Sequence, residues 1–147
     1  MSFALLFCAP FLYPFVCYTD SVYTKVGVKL LIFVTVDSCR SQLEGLTQLL
    51  FSAFPGSTVY QHTDLCRVPH DISNNKVDAV FVDAEMAKMN SLGLIQKLRM
   101  QKPELPVFII SKSNEFYDKA SAVGASGYFV LPDSEHQLLE TIRLVVN

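Results

Sequence analysis

The feature that most constrains this chain is a repeated unit: a short unbroken apolar run, a polar residue at its end, then an amphipathic helical stripe. The strand segments are Lys29 to Val36 (KLLIFVTV), a short second strand at Ser57 to Gln61 that lacks such a run, Val77 to Val82 (VDAVFV), Val107 to Ile110 (VFII) and Gly127 to Val130 (GYFV). Runs of this kind suit strands buried on both faces, as in a parallel sheet. Leu43, Leu46, Leu49 and Leu50, extended by Phe54, recur at helical spacing until Pro55-Gly56 stops them. Leu65 to Asn74 reads as a weak helix interrupted at Pro69, and Asn74-Asn75 as a turn. Ser91 to Met100 carries Leu92, Ile95 and Leu98 on one face and ends at Lys102-Pro103. Asn114 to Val123 is closed by Gly124, and Pro132-Asp133-Ser134 leads into a last helix with Leu138, Leu139, Ile142 and Val145 on its apolar face. This alternation predicts right-handed β-α-β units and an α/β fold, with a five-stranded parallel sheet covered on both faces by five helices. In such sheets ligands bind beyond the carboxyl ends of the strands, which directs attention to Asp37, Asp83, Ser111 and Leu131.

Composition narrows the function. Half the residues are apolar, which supports a buried core and argues against disorder. The formal net charge is −2 and no Lys/Arg cluster forms a basic face, so no nucleic-acid partner is expected. The four cysteines, Cys8, Cys17, Cys39 and Cys66, form no C-x-x-C pair, and His62, His70 and His136 are scattered. That pattern argues against a zinc site and for reduced thiols in a cytoplasmic protein.

The domain expectation is an apolar N-terminal extension over residues 1–28 and one folded domain over 29–147. Phe3 to Tyr18 carries no charge but is interrupted by Pro10 and Pro14. It is short of the roughly 20 apolar residues a spanning helix needs, and its prolines break helical hydrogen bonding. It lacks the positive start and small-residue cleavage site of a signal peptide. Three readings stand: an arm packed on the domain or a partner, an extension upstream of a later start near Val26 or Val28, or a membrane contact of residues 3–18. Asp20 to Gly27 reads as a polar linker.

Three motifs carry a family likeness. VDAVFVDAEMAKMNSLGLIQKLR, from Val77 to Arg99, has Asp83, Met86, Met89 and Leu92 in register with an apolar strand, Asp, two residues, Met-Pro, one residue, Met-Asp-Gly and a Leu-rich helix. LPVFIIS, ending at Ser111, is similar to a fourth strand closed by Thr or Ser. VGASGYFVLP, Val123 to Pro132, is similar to Gly-Ala-x-Gly-Tyr-x-x-Lys-Pro. Together these make residues 29–147 resemble the receiver domain of two-component response regulators, the CheY-like superfamily. The resemblance implies a flavodoxin-like strand order of 2-1-3-4-5. It also implies Asp83 as phospho-acceptor, Ser111 and Tyr128 as a switch pair, and Mg²⁺ held by Asp37, Asp83 and Glu85. The partner it implies is a histidine kinase or phosphotransfer protein, with a homodimer through the face of the fourth helix, fifth strand and fifth helix.

The chemistry at such a strand end can be stated from first principles. A carboxylate can attack phosphorus to give an acyl phosphate, and clustered acids need a divalent cation to offset their repulsion. A hydroxyl and an ammonium then neutralise the phosphoryl oxygens. The sequence departs from the family pattern at several points. Leu131 stands where the family has Lys, and Asp37 is the sole acid after the first strand. Ala87 replaces Pro, and Asn90-Ser91 replaces Asp-Gly. Glu85 and Lys112 are placed to compensate, Lys112 as the missing cation, although a surface Lys accounts for it as well. Asp37 also reads as a helix N-cap with Ser38, Ser111 as a structural hydroxyl, Tyr128 as a packing aromatic, and Met86 and Met89 as packing residues. Two functions are therefore expected. One is a single-domain receiver with weak phosphorylation at Asp83, acting through contacts because no output domain follows the last helix. The other is a phosphorylation-independent pseudo-receiver that binds protein or dimerises. A flavin protein of like topology is disfavoured, because no Gly- or Thr-rich phosphate turn follows the first strand.

Overall fold

The computed structural model describes residues 30–86 and 92–146. Within them β1 (Ile32–Val36) leads to α1 (Arg40–Ala53), β2 (Thr58–His62) to α2 (Val68–Asn74), and β3 (Ala79–Asp83) to a single helical turn, Ala84–Met86. Then come α3 (Leu92–Gln101), β4 (Val107–Ser111), α4 (Tyr117–Ala122), β5 (Gly127–Val130) and α5 (Glu135–Val146). The sheet is parallel throughout, in the order β2-β1-β3-β4-β5, the flavodoxin-like arrangement expected.

The unbroken apolar runs are explained by what covers each face. Val34, Val36, Val80, Val82 and Ile109 turn one way, onto Ile72 of α2, Ile95 and Leu98 of α3, and Ala120 of α4. The alternate positions turn the other way, onto Leu50 of α1 and Leu138 and Ile142 of α5. That second face is aromatic: Phe33, Phe81, Phe108 and Phe129 form a ladder across four strands, with ring centroids 5.7, 5.5 and 5.8 Å apart. Edge-to-face and offset contacts of this kind add to the area each ring buries. A side-chain period of two therefore puts one apolar set on each helical layer. Edge strand β2 is the exception, half-exposed and without a continuous run.

Register decides what meets at the carboxyl ends. Val36 pairs with Val82, Asp83 with Ile110 and Ser111 with Val130. Asp37 N donates to His62 O at 3.0 Å, and Leu131 N to Ser111 O at 2.9 Å. Each ladder thus runs one residue past its strand, which brings Asp37 level with Asp83 and Leu131 one residue beyond Ser111.

Several expectations are corrected. Asp37 and Ser38 do not cap α1. Cys39 occupies that position without a side-chain cap bond, and Asp37 Oδ1 instead accepts from Cys39 N at 2.8 Å. Pro69 does not interrupt α2: it lies in the first turn, where its missing N–H has no helical partner to lose. The helix expected over 114–123 covers only Tyr117–Ala122, although Gly124 does end it, with φ +90°. Residues 1–28, Ala87, Met89 and Asn90-Ser91 lie outside the described residues. No helix among the described residues is long and apolar enough to cross a membrane.

Candidate functional site

Asp83 closes β3, and Asp37 and Ser111 stand at the ends of the strands on either side of it. All three are buried, at 7%, 9% and 6% exposure. Asp83 Oδ2 accepts a long bond from Met86 N, at 3.4 Å. Burial pushes its carboxyl up to about 6, and the neighbouring Asp37 carboxylate pushes the same way. Asp37 is also raised by burial, offset by the Cys39 N–H and by the charge of Lys112. Two carboxylates that raise their own proton affinity in this way form a site short of positive charge.

A cleft of about 300 Å³ opens at these residues and runs between α1 and the β5–α5 connection. Asp37, Asp83, Ser111 and Lys112 give its lining polar groups, and Leu46, Leu49, Phe81, Ile110 and Leu131 give it apolar ones. Gln42 joins two of the polar groups. With its amide turned so that the oxygen meets the ammonium, it accepts from Lys112 Nζ at 2.6 Å and donates to Asp37 Oδ2 at 3.0 Å. Lys112 is exposed, yet this contact and its charge on Asp37 tie its ammonium to the carboxylate end of the sheet.

Two of the expected site residues stand apart. Glu85 is exposed and does not line the cleft, although its charge reaches Asp83. Tyr128 lies on the far side of the β4–α4 loop, where its hydroxyl donates to Ser113 O at 2.6 Å and its ring packs edge-on against Tyr117. Ser111 connects the two sides, because its Oγ accepts from Ser113 N at 3.2 Å. Sequence reasoning missed Gln42, whose place one turn into α1 after a strand-end acid was the available signal. It also missed the pair formed by His62 and Asp71, which ties edge strand β2 to α2.

Among the described residues no group of three or more His, Cys, Asp or Glu is arranged to hold a metal ion. Mg²⁺ asks for less, since it commonly takes one or two carboxylates and keeps water for the rest. Asp37 and Asp83, adjacent and deficient in positive charge, fit that demand.

Residues 33–143 match the family described as the response regulator receiver domain, and the chain belongs to that family. These residues are thus a receiver domain of two-component signalling, a signalling module, in a family that typically binds Mg²⁺. Among curated proteins it is similar to Stress response regulator protein 1 of Lodderomyces elongisporus, 30% identical over 90 residues, covering 60% of this chain and 25% of that protein. It is similar also to Response regulator MprA of Mycobacterium sp. (strain KMS), 26% identical over 115 residues, covering 77% of this chain and 49% of that one. The chain therefore spans between a quarter and a half of these relatives. Among solved structures, a response regulator receiver domain protein from Clostridium thermocellum superposes with a TM-score of 0.69 at 20% identity, covering 80% of this chain and 95% of that one. At that identity the likeness speaks for the fold.

Proposed function

We propose that this chain is a receiver whose Asp83 accepts a phosphoryl group weakly, and which passes its state on through protein contacts. The observation that carries the proposal is the shared cleft: Asp83, Asp37, Ser111 and Lys112 line one cavity whose remaining wall includes the apolar Leu131. A carboxylate oxygen of Asp83 attacks the phosphorus of an N-phosphorylated imidazole. The P–O bond forms as the P–N bond breaks, and the electron pair leaves with the imidazole nitrogen. Asp37 and Asp83 would hold Mg²⁺, and the ion would supply the positive charge that offsets their repulsion and that of the phosphoryl oxygens. Ser111 donates its hydroxyl to a phosphoryl oxygen, and Lys112 supplies the positive charge from its place beside Gln42. Leu131 supplies none, which is why the acyl phosphate forms poorly. Residues 29–147 act as the receiver unit, with the face of α4, β5 and α5 as the contact and dimerisation surface.

The competing reading, a pseudo-receiver that works without phosphorylation, is favoured by Leu131 and by the missing second acid beside Asp37 after the first strand. One experiment separates them. The chain has no Trp, so the adduct is followed by ¹⁹F and amide NMR in Mg²⁺ with BeF₃⁻. A saturable ¹⁹F signal that Asp83→Asn abolishes supports the receiver. Identical spectra for wild type and Asp83→Asn would leave only the pseudo-receiver.

A further inference from the structure

The apolar half of the cleft has no part in phosphoryl chemistry. It exists because α1 presents a stripe of Gln42, Gly45, Leu46 and Leu49 toward the β5–α5 connection, and Gly45 leaves that stripe open. A Cβ built at Gly45 would meet nothing within 4 Å. Leu46, Leu49 and Leu131 are only half-buried on the resulting wall, in a helix whose Leu43 and Leu50 are fully packed. An apolar body is thus accommodated against this wall.

The acids of the lining state what its head should be. Asp37, Asp83 and Glu135 line the cleft, against a single ammonium, Lys112, which is already engaged by Gln42. Charge complementarity therefore calls for a cation. The volume, at roughly 30 Å³ for each water-sized group, admits about ten non-hydrogen atoms. We infer that this cleft is a binding site for a small amphipathic primary amine, with its ammonium at Asp37 and Asp83 and its apolar body against Leu46, Leu49 and Leu131. The site is mostly apolar with a few convergent polar groups, the usual make-up of a small-ligand pocket. The inference does not depend on phosphoryl transfer at Asp83.

The test uses three six-carbon probes on the full chain without Mg²⁺, followed by amide NMR: n-hexylammonium, n-hexanol and hexanoate. The ammonium should saturate in the millimolar range or tighter, at least tenfold tighter than the alcohol, and should shift the amides of Gly45, Leu49 and Leu131. Equal binding of the alcohol, tighter binding of the carboxylate, or shifts centred elsewhere would overturn the inference. Gly45→Leu fills the cleft from a helix position where Leu is the better helix former, so the fold should persist or gain stability. It should weaken hexylammonium at least tenfold, and unchanged affinity in a folded Gly45→Leu overturns the site. Should that variant fail to fold, the three-probe comparison on the wild type decides alone. The BeF₃⁻ adduct is read on separate amine-free samples. A missing adduct with amine binding intact defeats the receiver proposal only, and the reverse result defeats this one only.

Discussion

Asp83 carries a charge that its surroundings oppose. Burial in the folded chain pushes its carboxyl up to about 6, from the ordinary aspartate value of 3.8 that holds in the unfolded chain. Between those values the folded form holds the extra proton, so stability falls as pH rises through that window and levels off above it. Asp83→Asn should therefore stabilise the Mg²⁺-free protein by about 2 kcal/mol at pH 7, with the gain vanishing near pH 4. Urea melts of both proteins at the two pH values check this, and equal midpoints at pH 7 would contradict the buried-carboxylate account. Leu131 offers a gain-of-function test: Leu131→Lys adds an ammonium beside Ser111 and should tighten the adduct about tenfold, the worth of one charge-assisted hydrogen bond. An unchanged affinity would place the weakness in the carboxylate pair instead. Asp37, Asp83 and Ser111 were legible as site candidates because a parallel sheet gathers its strand ends. Gln42 was not, because a Gln in a first helical turn has the same sequence signature whether it faces water or bridges an acid to a lysine.

At the scale of elements, the buried strands were legible because two covered faces demand continuous apolar runs. Edge strand β2 lacked that demand, and it lies one residue later than expected, at Thr58–His62. Helix ends were less legible. Asp37 and Pro69 have strong propensities as cap and breaker, but the register of β1 pulls Asp37 into the site and Pro69 falls where a missing N–H costs nothing. Two glycines show opposite sides of this local logic. Gly45 sits inside α1 with open space around it, so Gly45→Ala should stabilise by about 1 kcal/mol and raise the melting midpoint by about 3 °C. Gly127 begins β5 under the aromatic ladder, where a Cβ would lie 2.8 Å from Phe129 and 3.0 Å from Phe108. Gly127→Ala should cost about 1–3 kcal/mol, since those rings are already packed against each other. Calorimetry of the two variants beside the wild type checks both signs.

At the scale of the whole molecule, the question is how an event at Asp83 reaches a surface a partner can read. The chain of contacts is short. Ser111 Oγ, in the cleft with Asp83, accepts from Ser113 N, and Ser113 O accepts from the Tyr128 hydroxyl, whose ring rests on the exposed Tyr117 of α4. If Ser111 turns its hydroxyl toward a group on Asp83, the Ser113 N–H loses its acceptor and the 111–113 segment has reason to move. The anchor of Tyr128 moves with it. A rearrangement of this kind needs two arrangements of near-equal energy, and a loop held by single hydrogen bonds provides them. Under saturating Mg²⁺ and BeF₃⁻, the aromatic resonances of Tyr128 and Tyr117 should shift in wild type. In Ser111→Ala they should stay in place even where the adduct still forms at Asp83. The control is Tyr128→Phe, which removes the bond to Ser113 O and should alter the Tyr117 ring environment without any adduct. If Ser111→Ala transmits the shift as fully as wild type, the signal does not travel through the Ser111–Ser113–Tyr128 chain, and the β5–α5 connection beside Leu131, which shares the cleft wall, becomes the route to test.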